Sequence, residues 1–558
     1  MLYIGAAQFK IDYQHKLSRS RRALVFIVVP KRGISMQREV IKANIVVFIA
    51  SFCTLVIELV AGRIMAPYVG VSLYTWTSII GVVLAGISIG AYVGGLIADR
   101  FPRPSTLGWL LFLSGIGALS ISPLTNLLGA THFQTTLMMR ILVLTTFIFF
   151  IPSCILGMIS PVVVKLTLHN LAKTGNVVGK IYAFSTLGSI IGTFATGFFL
   201  ISWMGTRNLL LTIGIILIIS AMFFGGLFTR KKPPAIFLVI FTVIILSLTW
   251  IFHGYAFKMP VDEKTYFFKE SDYYTLQIRK CLTKDRQVWA DALVLDHLIH
   301  SINVYEDPSH LDYEYIRIYE ELMRWRMNKS GTLKTLFIGG GGYTLPRFLE
   351  LMYPSAEIDV VEIDPEITRV AHEYMGVPKN TRIRSFNEDG RWFVMNSTEI
   401  ERYDFIVGDA FNDLSIPYHL TTKEFALQMA RLLKPDGILM ANVIDSYEKG
   451  LFMPSYIRTL EEVFGKGNVH LVSPKPDQEN TGISTRVIVA SKSAIDMNDF
   501  VKFIKENDGM SVMSHIMSQE RLQQYLTERP SVVLTDDYVP VDNLIAPIFE
   551  ERYGYQTH

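Results

Sequence analysis

The sequence predicts a multi-span helical membrane bundle, followed by a small antiparallel β-module and an α/β domain built on a parallel sheet. Three observations lead to this fold class. Long apolar runs fill the first half of the chain, period-2 β-branched segments follow, and from Leu333 short apolar strands alternate with amphipathic helices. At 558 residues the chain exceeds the size of one hydrophobic core, so several domains are expected.

The composition supports the membrane assignment and excludes one class of partner. Half of the residues are apolar, 18% are charged and the mean hydropathy is +0.31. A wholly soluble chain with this balance would expose too much apolar surface, so part of it is expected in lipid. The net charge of +3 predicts no nucleic-acid partner. Cys53, Cys154 and Cys281 lie far apart and predict neither a metal site nor a disulfide framework.

Residues 1–40 show neither the long apolar runs of the bundle nor the strand and helix pattern of the later domains, and they are expected to form a disordered N-terminal extension. Residues 41–257 form the predicted bundle of about seven helices, because each apolar run is long enough to cross ~30 Å of hydrocarbon. The runs are 41–61, 74–98, 107–128, 137–159, 181–204, 209–228 and 235–253. Glycines recur in the second and fifth runs, which favours close helix packing over a substrate path.

Residues 258–310 are predicted to be a linker and the β-module, and residues 311–558 the α/β domain. The module is indicated by the alternating segments Thr-Leu-Gln-Ile-Arg and Ala-Leu-Val-Leu-Asp. In the α/β domain, residues 335–344 read as a buried strand, a glycine-rich turn and the start of a helix. Glycines let a backbone approach a ligand closely, and a helix N-terminus offers free amide groups. The glycines of this turn are Gly339, Gly340, Gly341 and Gly342.

Acidic residues close the strands that follow the glycine turn. Glu362 ends the next strand, about twenty residues on, where a carboxylate can accept both ribose hydroxyls of a nucleoside. Asp389, followed by Gly390, is placed to accept from an adenine amino group, and Asp409 ends a further strand. Because strand ends of a parallel sheet line one crevice, these acids together predict a nucleoside site.

These motifs, in this order, resemble those of spermidine synthases and other aminopropyltransferases. The resemblance runs from about residue 273 to 489 and includes the glycine turn, the three acids and three further segments. Those segments are Leu293-Val-Leu-Asp296, Val361-Glu-Ile-Asp364 and Leu433-Lys-Pro-Asp-Gly437. The bundle, with its segment 182–192, resembles the transmembrane subgroup of that family.

The resemblance implies a Rossmann-like, class I methyltransferase-like domain that takes S-adenosylmethionine or its decarboxylated form as substrate, without a metal. It implies that Glu362 binds ribose, that Asp389 binds adenine and that Asp409 occupies the place of the catalytic acid. Further substrate-binding positions are expected at the four turn glycines and at Tyr343, Gly390, Tyr315, His300 and Asn412.

The chain departs from the family pattern at the turn. The family's turn usually reads Gly-Gly-Gly-Asp-Gly-Gly, and its aspartate helps to hold the ammonium of decarboxylated S-adenosylmethionine. That position is Gly342 here. Two like charges ~4 Å apart repel by about 4 kcal/mol at an effective dielectric constant near 20. An aspartate would therefore exclude the α-carboxylate of intact S-adenosylmethionine, whereas Gly342 favours the intact compound.

Two further departures concern the second substrate. The family's Asp-Ser-Ser-Asp run becomes Asp409-Ala-Phe-Asn412, and its Tyr-Gln pair becomes Tyr315-Ile316. Losing an acid weakens the case for a dicationic acceptor such as putrescine. The nucleophile can instead be internal, so that the α-amine closes an azetidine or the carboxylate closes a lactone while methylthioadenosine leaves. An S-adenosylmethionine cyclising lyase is the favoured hypothesis.

Two alternatives stay open. One is a membrane-bound spermidine synthase that uses decarboxylated S-adenosylmethionine and a polyamine. The other, from a different class, is a transporter or sensor whose soluble half only binds the nucleoside. The retained Asp409 argues against this last alternative.

The expected location is the cell membrane, as a multi-pass protein with the lipid bilayer, a small-molecule substrate and a second copy of the chain as candidate partners. Basic residues cluster before the first apolar run and after the second, fourth and sixth, which predicts a cytoplasmic N-terminus. Seven spans would then place the catalytic half outside the cytoplasm. The cytoplasmic supply of the adenosyl substrate favours the opposite side, and on that ground the catalytic half is expected in the cytoplasm.

Overall fold

The computed structural model describes residues 31–129, 131, 136–168, 174–225, 243, 262–331, 333–410, 416–475, 482–507 and 514–553. Within these ranges, six helices are long and apolar enough to cross a membrane. They are α1 (Lys31–Val69), α2 (Leu73–Arg100), α3 (Pro104–Gly129), α4 (Met138–Thr167), α5 (Thr174–Met204) and α6 (Thr206–Phe224). The predicted seventh run, 235–253, lies outside the described residues apart from Val243.

Helix α1 begins at Lys31, so residues 31–40 belong to it rather than to the predicted disordered extension. Once a helix has formed along the apolar run, each added residue gains a backbone hydrogen bond, and the polar stretch before the run continues it. Residues 1–30, the rest of that predicted extension, lie outside the described residues.

Small residues set the spacing within the bundle. A Cβ at Gly90 of α2 would lie 2.0 Å from the carbonyl oxygen of Cys154 in α4, and one at Gly188 of α5 would lie 2.3 Å from that of Phe48 in α1. Neither pair of helices could come this close with any larger side chain. The contacts agree with the packing role that the sequence predicts for these glycines.

The β-module is a four-stranded antiparallel sheet in the order β1-β2-β3-β4, and the α/β domain has an eight-stranded sheet in the order β12-β10-β11-β9-β8-β5-β6-β7. Strands β9, β8, β5, β6 and β7 are parallel, while β11, β10 and β12 pair antiparallel. This order, with helices between the parallel strands, confirms the predicted β-module and Rossmann-like domain.

The strands are β1 (Thr265–Glu270), β2 (Thr275–Leu282), β3 (Trp289–Leu295), β4 (Leu298–Asn303), β5 (Lys334–Ile338), β6 (Glu357–Val361), β7 (Arg384–Phe386), β8 (Tyr403–Gly408), β9 (Leu433–Ser446), β10 (Val469–Ser473), β11 (Ile483–Ser491) and β12 (His515–Ile516). The helices of this half are α7 (Glu314–Ser330), α8 (Thr344–Met352), α9 (Pro365–Tyr374), α10 (Gly390–Asn396), α11 (Lys423–Leu432), α12 (Phe452–Phe464), α13 (Met497–Asn507), α14 (Gln519–Glu528) and α15 (Val541–Tyr553).

The turn between β1 and β2 joins the two halves. The Arg63 guanidinium of α1 donates to the carbonyl oxygens of Ser271 (2.5 Å) and Asp272 (2.9 Å). The Glu270 carboxylate accepts from the backbone amide (2.9 Å) and hydroxyl (3.0 Å) of Thr206, at the start of α6. An acid at a helix N-terminus accepts hydrogen bonds from the free amide groups there and interacts favourably with the helix dipole.

These contacts define a docking end of the bundle, formed by Arg63 and residues 69–73 and 202–206. The opposite, basic end carries Arg100, Arg103 and Lys165, with Lys165 bonded to Asp99 (2.7 Å). Helix α6 finishes at Phe224 at the basic end, whereas β1 starts at the docking end.

Candidate active site

Two adjoining cavities open at the carboxyl ends of the parallel strands. The large cavity has a volume of about 630 Å³ and the small cavity about 130 Å³. Four residues line both cavities and so form the boundary between them: His300, Gly339, Gly341 and Asp409. All four are among the predicted site residues, and the chain folds so that three separate strands bring them together.

The glycine turn is pressed against the end of β8. Gly339 has a φ of +99°, and a Cβ there would lie 2.3 Å from the carbonyl oxygen of Asp409. Gly341 also has a positive φ, of +49°. Gly339 therefore requires glycine, while the positive φ of Gly341 favours it. The turn presents its backbone to the cavities, with Gly340 also in the wall of the large one.

Gly342 is buried on the far side of the turn and lines neither cavity. Its amide donates to the Ser301 hydroxyl (2.8 Å), and its carbonyl oxygen accepts from the Asn303 side chain (2.7 Å). A Cβ at Gly342 would lie 2.6 Å from that of Ser301. An aspartate would therefore displace β4, so a single substitution cannot cleanly restore the family's acid.

Tyr343 also lies outside the walls of both cavities. Its side chain is fully buried, and its hydroxyl bonds to those of Thr368 (3.2 Å) and Ser385 (3.1 Å). With a φ of +55°, the residue turns its ring inward at the start of α8. In the structure Tyr343 thus packs the turn from behind.

Glu362 ends β6 and forms part of the wall of the small cavity. Its carboxylate accepts from the backbone amides of Gly340 (2.8 Å) and Asp364 (3.0 Å). Burial raises the pKa of Glu362, although these amides act in the opposite direction. Each oxygen has a second lone pair, so the carboxylate, held in place by the backbone, can still accept from a hydroxyl.

Asp389 and Gly390 also line the small cavity. One oxygen of Asp389 caps α10 by accepting from the Trp392 amide (2.9 Å), and the other is 2.9 Å from Nε2 of His419. His419 also lines this cavity, although sequence reasoning missed it. It lies in a short 3₁₀ turn, Tyr418–Leu420, thirty positions further along the chain, and no local pattern marks it.

Asp409 is held from two sides. The Tyr315 hydroxyl donates to Oδ2 (3.2 Å), and the Asn442 side-chain amide donates to Oδ1 (2.7 Å). Enclosure by the protein raises the pKa of Asp409 to about 6, with both hydrogen bonds acting against the shift. Sequence reasoning missed Asn442, whose one signal is an amide within an otherwise apolar stretch of β9.

The wall of the large cavity is basic. Arg279, Lys284, His297 and His300 line it, together with Tyr315. Among its described lining residues, the only carboxylate is that of Asp409. Asn412, the remaining predicted site residue, lies in 411–415, outside the described part of the chain.

Comparisons with known proteins agree with this architecture. Residues 319–475 match the family model of the spermine/spermidine synthase domain. A polyamine aminopropyltransferase from Vibrio vulnificus is 34% identical over 149 residues, which are 25% of this chain and 48% of that protein. The chain thus spans about half the length of this relative. Polyamine aminopropyltransferase 2 from Aquifex aeolicus is 22% identical over 524 residues, 91% of this chain and 97% of that protein.

A solved structure of a probable spermidine synthase from Corynebacterium glutamicum has 21% sequence identity and a TM-score of 0.42, covering 49% of this chain and 97% of that chain. From the family match and the relatives, the chain carries a spermine/spermidine synthase domain and is a homologue of the polyamine aminopropyltransferases, with six apolar helices consistent with a transmembrane subgroup of that family.

Proposed function

We propose that the chain is a membrane-bound enzyme of the aminopropyltransferase family that displaces methylthioadenosine from an adenosyl sulfonium substrate. The observation that carries the proposal is the position of Asp409, at the boundary of a small cavity lined by Glu362 and Asp389 and a larger basic one. The small cavity would take the nucleoside, and the reacting carbon would lie beside Asp409.

The chemistry requires a base at this boundary. A nucleophile attacks the carbon γ to the amine, a new bond forms to that carbon, and the carbon–sulfur bond breaks. The bonding pair stays on sulfur, which becomes a neutral thioether. When the nucleophile is an ammonium group, it must first lose a proton, and the Asp409 carboxylate, whose pKa is raised to about 6, can accept it near neutral pH.

The charges of the large cavity favour a substrate that carries a carboxylate. Arg279 and Lys284 line it, and an α-carboxylate would be attracted there, whereas a dicationic diamine would be repelled. This charge distribution supports intact S-adenosylmethionine over its decarboxylated form.

The favoured reaction is therefore an intramolecular cyclisation of the aminocarboxypropyl group. The substrate's own α-amine would close an azetidine, or its carboxylate a lactone, and the folded chain of the bound substrate would supply the orientation. Transfer of an aminopropyl group to a polyamine is the second candidate, supported by the similarity to polyamine aminopropyltransferases.

Glu362→Gln should lower the affinity for methylthioadenosine at least tenfold. Charge-assisted hydrogen bonds to a carboxylate are worth roughly 1.5–3 kcal/mol each, and the amide loses one acceptor. Calorimetric titration of the purified chain in detergent measures the effect. Glu357→Gln, at the exposed start of the same strand, is the matched control and should bind normally. Unchanged binding by Glu362→Gln would remove this residue from the site.

Arg279→Gln should shift the binding preference from intact towards decarboxylated S-adenosylmethionine, because it removes a positive charge from the wall of the large cavity. The measurement is competition of each compound against labelled methylthioadenosine. Arg286→Gln is the control, since Arg286 belongs to the same module and pairs with Asp307 outside this cavity. If the wild type already prefers the decarboxylated compound, the second candidate reaction replaces the first.

The purified chain should convert S-adenosylmethionine to methylthioadenosine without an added amine, and putrescine should neither accelerate the reaction nor enter a product. Asp409→Asn should reduce turnover at least a hundredfold while binding persists, since an amide cannot accept the proton. With the pKa of Asp409 at about 6, the wild-type rate should fall as the pH drops through 6 and level off above it. Chromatographic detection of methylthioadenosine provides the readout.

Asp436→Asn, at an exposed position of β9, controls for general effects of removing a carboxylate. Strict dependence of methylthioadenosine release on a polyamine would establish aminopropyl transfer instead of cyclisation. Binding without any turnover, with or without amines, would support the transporter or sensor.

The catalytic half is proposed to lie on the non-cytoplasmic side of the membrane. It docks on the end of the bundle whose connecting segments, 70–72, 130–136 and 205, contain no lysine or arginine, while Arg100, Arg103 and Lys165 mark the opposite end. The positive-inside rule places that basic end in the cytoplasm. The positions of the basic residues are a property of this sequence, whereas the supply of substrate is not. We therefore give the charge distribution more weight than the argument from substrate supply.

A phosphatase that folds only outside the cytoplasm should therefore be active when fused to the C-terminus, and a fluorescent protein that folds only inside should stay dark there. The same two reporters fused after Arg103, at the basic end, should give the opposite result and serve as the control. Fluorescence at the C-terminus would place the catalytic half in the cytoplasm.

A further inference from the structure

Three potential metal ligands meet at the edge of the β-module. Asp285 lies in the loop between β2 and β3, and His310 and Asp312 lie in the segment between β4 and α7. Nε2 of His310 is 3.5 Å from Oδ1 of Asp285 and 3.6 Å from Oδ1 of Asp312, and the three ligand atoms lie within 4.8 Å of one another. The His310 side chain is 1% exposed and that of Asp312 is fully buried.

Two polar atoms of this trio are buried without hydrogen bonds. Within the described part of the chain, neither Nε2 of His310 nor Oδ2 of Asp312 has a hydrogen-bond partner. Separations of 3.5 and 3.6 Å from His310 to the two carboxylates are too long for good hydrogen bonds. Buried polar atoms nearly always have a hydrogen-bond partner or a bound ion, so we expect these two atoms to contact a further group.

The spacing fits ligands that share one ion. Zinc bonds to nitrogen and oxygen are about 2.1 Å long, which places two ligands of a tetrahedral site about 3.4 Å apart. A protonated histidine between two carboxylates would instead draw the oxygens to about 2.8 Å. We propose that Asp285, His310 and Asp312 bind a divalent cation of the zinc type, with water completing the coordination. Two carboxylates also neutralise its charge.

Neighbouring groups already orient the ligands. Arg317 donates to Oδ2 of Asp285 (2.8 Å), which turns Oδ1 towards His310. The Lys284 backbone amide donates to Oδ1 of Asp312 (2.9 Å), which fixes the carboxylate and leaves that oxygen a lone pair for the ion. Such outer contacts fix ligand orientation in protein metal sites. The Asp285 side chain is 36% exposed and offers a route of entry for the ion.

The metal would brace the wall of the large cavity without touching substrate. Asp312 directly precedes Tyr313 and the start of α7, and α7 carries Tyr315, which holds Asp409. Lys284 and Tyr313, on the two loops that the metal would join, both line the large cavity. The role is therefore positional, and it holds whichever reaction the site performs.

The test uses the untagged full-length chain in detergent, stripped with a chelator and then titrated with Zn²⁺ against a chromophoric chelator. The expected result is one Zn²⁺ per chain by elemental analysis, with at least tenfold weaker binding in Asp312→Asn and His310→Gln. Zn²⁺ should also raise the thermal unfolding midpoint of the wild type but not of these variants. Glu306→Gln, an exposed acid in the same segment, is the matched control and should behave as the wild type.

Asp285 is the exposed ligand, so a variant at this position should fold even if the variants at the buried His310 and Asp312 do not. Asp285→Asn should weaken Zn²⁺ binding by a similar factor while its unfolding midpoint without metal stays close to that of the wild type. Absence of Zn²⁺ binding by the wild type, or binding that all three variants retain, would overturn the proposal.

Discussion

The two hydrogen bonds to the Asp409 carboxylate are the interactions on which the rest of the candidate active site depends. Tyr315 comes from α7 and Asn442 from β9, and both bond to an acid that ends β8. Gly339, at the end of β5, rests against the carbonyl oxygen of the same residue. Hydrogen bonds to a charged group are worth roughly 1.5–3 kcal/mol each, so losing either partner would leave a costly buried acid. Four elements are thereby fixed relative to one another.

The two cavities that meet at Asp409 differ in the charge of their walls. Beyond Gly339 and Gly341, Glu362 and Asp389 give the small cavity an acidic wall, while Arg279 and Lys284 give the large one a basic wall. Asp409 lies between them and faces both. A substrate with a nucleoside that donates hydrogen bonds, a cationic sulfur and an anionic end would meet carboxylate acceptors, Asp409 and basic side chains in that order along this path.

Sequence reasoning identified the parts of the site that follow from local pattern and topology. Glu362 and Asp409 end strands of a parallel sheet, and that rule alone brings them to one crevice. The spermidine synthase domain, predicted from motif order, is confirmed by the family match over residues 319–475. That Gly342 and Tyr343 lie outside the walls of both cavities could not be predicted, because their placement depends on positive φ angles at Gly341 and Tyr343. His419 and Asn442 were missed because they reach the site only through tertiary packing.

The contacts between the bundle and the β1–β2 turn have a consequence for biosynthesis. The chain emerges from its N-terminus, so Arg63 and the start of α6 are in place before the turn is synthesised. Tyr273 and Tyr274 follow Asp272 in that turn and line the small cavity. One wall of the proposed nucleoside site therefore settles on a surface that the apolar helices provide. With the proposed membrane location, faulty insertion of these helices would leave that site incomplete even where the α/β domain has folded.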